Sequence, residues 1–130
     1  MQLQLITPEK ILFSAEIVQV QIPGTLGEFG VLPGHAPFVS TIKPGVIGVD
    51  AADGSKRKIA VAGGVAEVVP ERCVVLAESA MDLAGVSAAD AEAMLQDARD
   101  AADIAASDVA RKEAANKMAL AEAVKEGIRP

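Results

Sequence analysis

Short runs of apolar residues alternate with turn-forming residues over the first two thirds of the chain. In residues 16–22 the alternation places Val18, Val20 and Ile22 on one face of a strand, with two glutamines on the other. Leu3, Leu5 and the apolar run at residues 11–13 flank a turn signal at residues 7–10 and predict short strands. Comparable runs, separated by glycine, proline and aspartate, predict strands at residues 38–42, 46–49, 58–62, 65–69 and 73–77. About eight to ten short strands with frequent turns are typical of an antiparallel β-sandwich or small barrel. The helices that a parallel α/β fold would need between strands are not predicted.

The pattern becomes helical near Gly85. Ten of the eleven glycines and six of the seven prolines lie in residues 1–85, whereas 15 of the 45 residues that follow are alanine, the best helix former. Ser87 and Asp90 have the spacing of a capping box, and the Ala-Ser-Asp of residues 106–108 interrupts the helical stretch. We therefore predict a β-sandwich domain over residues 1–85. A hairpin of two helices, at residues 88–105 and 109–126, would form a second domain over residues 86–130.

The apolar stripes of the two predicted helices consist mainly of alanine. The first comprises Ala91, Met94, Leu95, Ala98, Ala102 and Ala105, and the second Ala110, Ala114, Met118, Ala121, Val124 and Ile128. Burial of a methyl group contributes about 0.8 kcal/mol, against roughly 1.5 to 3 for Leu or Ile, so we expect a weakly docked, mobile hairpin. Residues 88–108 carry a net charge of −5 and residues 109–130 one of +2, which favours antiparallel pairing.

The composition narrows the class of partner. A net charge of −6 and only three aromatic residues disfavour binding to nucleic acid or anionic lipid. The basic run at residues 56–58 follows Asp53 and Gly54 and is interpreted as the solvated end of a hairpin. Cys73, the only cysteine, excludes an internal disulfide and is expected to be buried. We expect no signal peptide and no bilayer insertion, because no apolar stretch approaches roughly 20 residues.

The sequence offers little chemistry of the kind that an enzyme needs. His35 is the only histidine, and it lies in a loop rich in glycine and proline, residues 27–37, that also contains Glu28. Neither a nucleophile motif nor metal-ligand spacing accompanies this pair, so we predict a non-catalytic protein without metal or cofactor. Phe29, Val31 and Phe38 are expected to be exposed around this loop and to form a protein-binding edge.

The same loop resembles that of a known family. Residues 27–37 read Gly-Glu-Phe-Gly-Val-Leu-Pro-Gly-His-Ala-Pro. This closely resembles the Gly-Glu-x-Gly-x-x-Pro-Gly-His-Ala-Pro loop of the ε subunit of bacterial F-type ATP synthase. Residues 42–45, 62–68 and 74–78 resemble later strand segments of the family, in the same order. The resemblance covers residues 1–85, whereas the hairpin matches in length and position more than in sequence.

The resemblance implies a place in the central rotor stalk. Members of the family couple proton-driven rotation of the membrane c-ring to ATP synthesis through the γ subunit. The implied partners are therefore γ and the c-ring, and the implied location is peripheral, on the cytoplasmic side of the bacterial inner membrane. The residues implied at the c-ring are Glu28, Phe29 and Gly30. The residues implied at γ are His35, Pro37, Phe38 and Ile42.

The resemblance also implies a regulatory role for the hairpin. In many relatives the helices reach the catalytic α/β head and inhibit ATP hydrolysis. The basic residues of the second helix that could act there are Arg111, Lys112, Lys117, Lys125 and Arg129. Some relatives bind ATP in the compact hairpin through an Ile/Leu-Asp-x-x-Arg-Ala pattern. Residues 89–94 keep Asp90 but lack the arginine, so we expect weak or no ATP binding and only weak inhibition.

Two other interpretations stay open from the sequence. A free-standing β-sandwich adaptor would have the same fold and a different protein partner. A small enzyme would use His35 and Glu28 as an acid–base pair.

Overall fold

The computed structural model describes residues 1–34 and 36–129, and in them nine β-strands precede two α-helices. The strands are β1 (Gln2–Ile6), β2 (Ile11–Gly24), β3 (Gly27–Val31), β4 (Phe38–Ile42), β5 (Gly45–Ala51), β6 (Lys56–Val61), β7 (Gly64–Val69), β8 (Arg72–Ala77) and β9 (Ala80–Asp82). The helices are α1 (Ala88–Ile104) and α2 (Asp108–Gly127). This order confirms the predicted β-sandwich followed by a helical hairpin.

The strands form two layers that share the long strand β2. One layer has the order β1-β8-β7-β4, and the other contains β3, β2, β5, β6 and β9. The first half of β2 pairs with β1, and its second half pairs with β5 and β3. Every pairing is antiparallel except that of β1 with β8. Because β2 pairs with β1 in its first half and with β4 at Gly24, it connects the two layers at both edges of the first.

Aliphatic side chains fill the space between the layers. The largest fully buried ones include Leu3, Leu5, Val20, Ile22, Val31, Ile47, Val49, Ile59, Val61, Val68 and Val75. Cys73 is also fully buried, as expected, and burial raises the pKa of its thiol to about 11. The thiol is therefore protonated at neutral pH and acts as a small core residue.

An irregularity in β2 changes one predicted face. The register with β5 shifts between Ile17 and Gln19, so Ile17 points into the core and Val18 is 53% exposed. The expectation that Val18 shares the buried face of Val20 and Ile22 is therefore wrong. An extra residue in one strand reverses the alternation before it, and a simple period of two does not reveal this.

Two strands were not predicted. Residues 27–31, which were expected to belong to a loop, pair with β2 as β3, and Ala80–Asp82 pairs with β6 as β9. Val31 is consequently fully buried rather than exposed. The glycines at positions 27 and 30 indicate a loop, but pairing with the neighbouring strand overrides that local signal.

The turns between strands agree with their sequence signals. Asp53 accepts hydrogen bonds from the backbone and hydroxyl of Ser55 in the β5–β6 turn, and these hold the pKa of its carboxyl below the ordinary value of 3.8. Gly63 and Gly64 connect β6 to β7, and a Cβ atom at Gly64 would overlap the carbonyl oxygen of Leu76. Gly64 is therefore a steric requirement of this tight connection and not part of a phosphate loop.

The helices begin at the predicted caps. Ser87 and Asp90 form the capping box of α1, and Ser107 caps α2 by accepting a hydrogen bond from the Ala110 amide. The buried residues of the hairpin are Ala91, Leu95 and Ala98 in α1, and Ala114, Ala121, Ala123 and Val124 in α2. Most are alanines, as predicted, although Ala102 is exposed. None of the helices in the described part of the chain is long and apolar enough to cross a membrane.

Helix α2 docks the hairpin on the outer face of β5, β6 and β9. A second apolar cluster forms there, built from Ala60, Leu83, Ala91, Ala123 and Val124 with half-buried Val46, Met81, Val86, Met94, Leu120 and Ile128. Gly127, at the end of α2, lies so close to the sheet that a Cβ atom would come within 2.9 Å of Val46 Cγ2 and would overlap Leu83. The hairpin is thus held at the C-terminal end of α2.

Candidate partner-binding surfaces

The three residues that the resemblance assigned to the c-ring, Glu28, Phe29 and Gly30, do not lie on one face of β3. Glu28 and Gly30 are exposed, whereas Phe29 lies between them in sequence and is half-buried against the core. Successive side chains of a strand point to opposite faces, which explains the separation. Leu26, at the tip of the hairpin between β2 and β3, is fully exposed. This tip therefore presents an apolar side chain next to an acidic one.

The four residues assigned to γ also lie in different environments. Phe38 is half-buried and Pro37 is exposed, whereas Ile42 is only 4% exposed and belongs to the core. His35 lies outside the described residues. An outward contact by the Ile42 side chain does not fit this burial, and the residues of β4 that do face outward are Val39 and Thr41.

The two assigned sets meet in one groove. The rings of Phe29 and Phe38 are in T-shaped contact, with centroids 5.1 Å apart and planes at 72°. The groove beside them has a volume of about 650 Å³ and is lined by Leu26, Gly27, Glu28, Phe29, Ala36, Pro37, Phe38, Val39 and Ser40. Residues expected at two separate partners thus share a largely apolar depression.

A second exposed apolar surface lies on the outer face of the β1-β8-β7-β4 layer. Ile6 is in register with Ile11 of β2 and Leu76 of β8, and Leu76 is in register with Val65 of β7. Leu76 and Val65 are 51% and 36% exposed, and Ile11 is 60% exposed. We call this surface the apolar sheet face, defined by Ile6, Ile11, Val39, Val65 and Leu76. No pattern along the sequence reveals this surface, because its residues lie in separate strands and become neighbours only when those strands pair.

The basic residues of α2 are mostly engaged in exposed ion pairs. Lys125 Nζ lies 3.1 Å from Glu92 of α1, and this pair connects the two helices. Arg111 pairs with Asp108 at 2.7 Å in the first turn of α2. Arg129, which was expected in the second helix, lies just beyond its end and pairs with Glu126 at 3.4 Å. Lys112 and Lys117 are exposed, and the five basic residues do not form one cluster.

Asp90, the acid retained from the ATP-binding pattern, has a structural partner. Its carboxylate accepts a hydrogen bond from the Ser87 amide at 3.0 Å, and its own amide donates to the Ser87 hydroxyl at 3.1 Å. These hydrogen bonds hold the pKa of Asp90 below 3.8. Ala93 stands where the pattern has arginine. The arrangement at this point is that of a helix cap.

The other candidate chemistry also proves structural. Arg57 pairs with Asp82 and lies 4.7 Å from the centre of the Phe13 ring, so part of the basic run at residues 56–58 covers the end of the core. Among residues 1–34 and 36–129 no cluster of three or more side chains suited to a metal ion is found.

Comparison with known proteins places this fold in a family. Residues 1–83 match the family described as ATP synthase, Delta/Epsilon chain, beta-sandwich domain. The ATP synthase epsilon chain of Rhodospirillum rubrum is 46% identical over 123 residues, which cover 95% of this chain and 92% of that protein. The epsilon chain of Brucella anthropi is 42% identical over 113 residues, covering 87% of this chain and 84% of that protein.

Solved structures share the fold at lower identity. A chain in the Euglena gracilis mitochondrial ATP synthase structure of OSCP, F1 and c-ring aligns with a TM-score of 0.72 and 22% identity, covering 98% of this chain and 80% of that one. A chain in the Tetrahymena thermophila central stalk and c-ring structure aligns with a TM-score of 0.60 and 16% identity, covering 96% of each chain. The matched family and the identity of the curated relatives show that the chain belongs to the ATP synthase epsilon chain family.

Proposed function

We propose that this chain is a non-catalytic subunit of the central stalk of an F-type ATP synthase. In this role the β-sandwich, residues 1–85, binds the γ subunit and the c-ring and helps to couple proton-driven rotation to ATP synthesis. Family membership supports the assignment, and the apolar sheet face supports a protein partner. The chain would be located at the cytoplasmic side of the bacterial inner membrane through its partners.

The apolar sheet face is the observation that best supports binding to γ. Ile6, Leu76 and Val65 stand side by side on three neighbouring strands, and Val39 lies on the next strand, in register with the exposed Glu67. The helical hairpin covers only the opposite layer. Contiguous apolar patches of this kind mark protein–protein contacts in soluble proteins. We infer that γ covers this face, with Val39 and Thr41 replacing the buried Ile42 as the contacts from β4.

The tip between β2 and β3 suits the c-ring. Leu26 projects from the two-residue turn, and Glu28 from the adjoining end of β3. Gly30 is the next outward position of β3, and the side-chain amide of the exposed Gln21 lies against it, so this part of the surface is polar. We propose Glu28 and Gly30 as c-ring contacts on this basis.

We propose that the hairpin, residues 86–130, is a separate regulatory domain. Its five basic residues would reach the catalytic α/β head only after the hairpin leaves the sheet, and the α1–α2 seam offers mainly alanines to hold it. The exposed ion pairs of Lys125, Arg111 and Arg129 would be exchanged for acidic partners on the head at little cost. We expect weak inhibition of ATP hydrolysis and weak or no ATP binding.

A single charge in the apolar sheet face tests the proposal. Leu76→Glu should weaken binding of the full chain to purified γ by at least about tenfold, which corresponds to about 1.4 kcal/mol. The matched control is Ile104→Glu, at the exposed end of the helical hairpin, which should bind γ normally. Both variants should unfold at the temperature of the unmodified chain, because both positions are exposed. A chain that binds neither γ nor the assembled enzyme would refute the proposal.

A further inference from the structure

The groove beside Phe29 and Phe38 has a rigid apolar floor. Both rings pack against the sandwich core on one side and against each other in the T-shaped contact. Their accessible edges are therefore fixed before any partner binds, and binding there loses little side-chain entropy. Leu26, fully exposed, and Val39, 68% exposed, stand on either side of this floor.

The groove is continuous with the apolar sheet face. Val39 belongs to both surfaces, and Thr41 follows it on the same face of β4. Thr41 is in register with Val65 of β7, which is in register with Leu76 of β8. A partner segment that covers Leu76 and Val65 therefore reaches the groove by continuing past Val39.

The lining of the groove selects an apolar occupant. Glu28 is the one ionisable side chain among the described residues that line it, and the hydroxyl of Ser40 already donates to the Thr41 carbonyl at 3.0 Å. A polar loop placed in the groove would lose hydrogen bonds to water and find few replacements. An apolar side chain would instead remove Leu26, Val39 and the two rings from water.

We propose that the groove receives an apolar side chain of the same γ segment that covers the apolar sheet face; this inference rests on the function proposed above. Phe29 then belongs to the γ surface, although the sequence placed it with Glu28 and Gly30 at the c-ring. Gly30 lies on the other face of β3, and Glu28, at the edge of the groove, remains accessible to the c-ring. The γ surface thus extends around the edge of the sandwich and ends beside the c-ring contacts.

Binding of full-chain variants to purified γ and to purified c-ring tests the groove. Leu26→Asp should weaken γ binding about tenfold and leave the melting temperature unchanged, since Leu26 contributes nothing to the core. Phe29→Ala should weaken it at least as much because it removes half of the floor. Ile104→Asp, at the exposed end of α1 and outside the groove, is the matched control and should leave γ binding unchanged.

A crosslinking experiment gives a readout that does not depend on stability. Because Cys73 is buried and protonated, Ser40→Cys supplies the one reactive thiol of the native chain, and a photocrosslinker can be attached there. In the assembled enzyme it should join γ. Either of two results would overturn the inference: crosslinking to c alone, or normal γ binding by both Leu26→Asp and Phe29→Ala. In both cases, binding of γ by the unmodified chain would still support the proposed function. Loss of γ binding by the unmodified chain would reject both.

Discussion

The two regions of this chain differ both in how many of their apolar residues are buried and in the size of the buried side chains. About half of the apolar residues are buried in the sandwich, but fewer than a third in the hairpin. Inside the sandwich the fully buried residues are mainly Leu, Ile and Val, whereas the seam between α1 and α2 is mainly alanine. Each buried Ile or Leu contributes roughly 1.5 to 3 kcal/mol, and a methyl group about 0.8. The hairpin therefore buries fewer and smaller apolar side chains than the sandwich, and opening it should cost less free energy.

The hairpin is nevertheless not uniformly loose. Larger side chains, among them Leu83, Val124 and Leu120, gather where α2 meets the sheet. The Lys58 side chain also donates to the Gly127 carbonyl at 3.4 Å. The weak packing expected from the sequence is thus found mainly in the seam between the two helices. The end of α2 attaches the hairpin to the sheet through larger side chains.

The largest difference between the regions should come from the sandwich core. Ile47→Ala removes a fully buried side chain of β5 and should lower the free energy of unfolding by about 2 to 5 kcal/mol. Val18→Ala, on the exposed bulge of β2, is the control and should change it by less than about 0.5 kcal/mol. Urea unfolding followed by circular dichroism measures both. A similar loss in the two variants would show that Val18 is buried after all.

A larger side chain at Gly127 should separate the two regions. Gly127→Leu favours the helix locally but collides with Val46 and Leu83, and overpacking of this kind costs about 1 to 3 kcal/mol. We expect α1 and α2 to become sensitive to protease while the sandwich stays folded. Ala115→Leu, on the exposed side of α2, is the matched control. Unchanged protease resistance in Gly127→Leu would show that the end of α2 does not hold the hairpin.

Loss of the first helix cap should have a smaller effect confined to α1. Ser87→Ala leaves the Asp90 amide without its acceptor and should destabilise the helix by about 1 kcal/mol. Because the pKa of Asp90 is depressed, its contribution is present above the ordinary value of 3.8 and is lost as the pH falls through the lower folded value. The protection of the α1 amides, measured relative to their intrinsic exchange rate at each pH, should therefore fall in acid. If protection in α1 falls by the same factor in Ser87→Ala and in the unmodified chain, the Ser87 hydroxyl does not contribute to the low pKa of Asp90.

The smallest effect should come from the ion pair between the helices. Lys125→Ala removes the partner of Glu92, and exposed pairs contribute under about 1 kcal/mol. Hairpin opening should increase slightly at low salt, and the difference from the unmodified chain should disappear at high salt. Lys112→Ala is a suitable control on the same helix. A difference that persists at high salt would mean that Lys125 acts through packing instead.

Much of the fold was predictable because local and tertiary signals agree. The capping box at Ser87, the turn at Asp53 and the strands at residues 38–42 and 73–77 all follow from residue preferences that packing reinforces. The bulge at Val18 and the strand β3 were not predictable, because each depends on the partner strand. Likewise, Ala60 is fully buried on the outer face of β6 only because α2 covers it.

The candidate binding surfaces were less predictable than the fold. The loop around Glu28 was predicted from the sequence to bind partners, but the faces on which Phe29, Val31 and Ile42 lie depend on strand register. The apolar sheet face joins residues as distant in sequence as Ile6 and Leu76, which no local pattern connects. The sequence thus indicated candidate segments, and only the paired strands show which side chains share a surface.

Hydrogen exchange on the full chain tests the unequal stability of the two regions most directly. We expect the buried amides of β7 and β8 to exchange only through global unfolding, and those of α1 and α2 to exchange through an opening of lower free energy. The difference should widen in Gly127→Leu and stay constant in Ala115→Leu. A single free energy of opening, shared by the helices and by β7 and β8, would contradict the account.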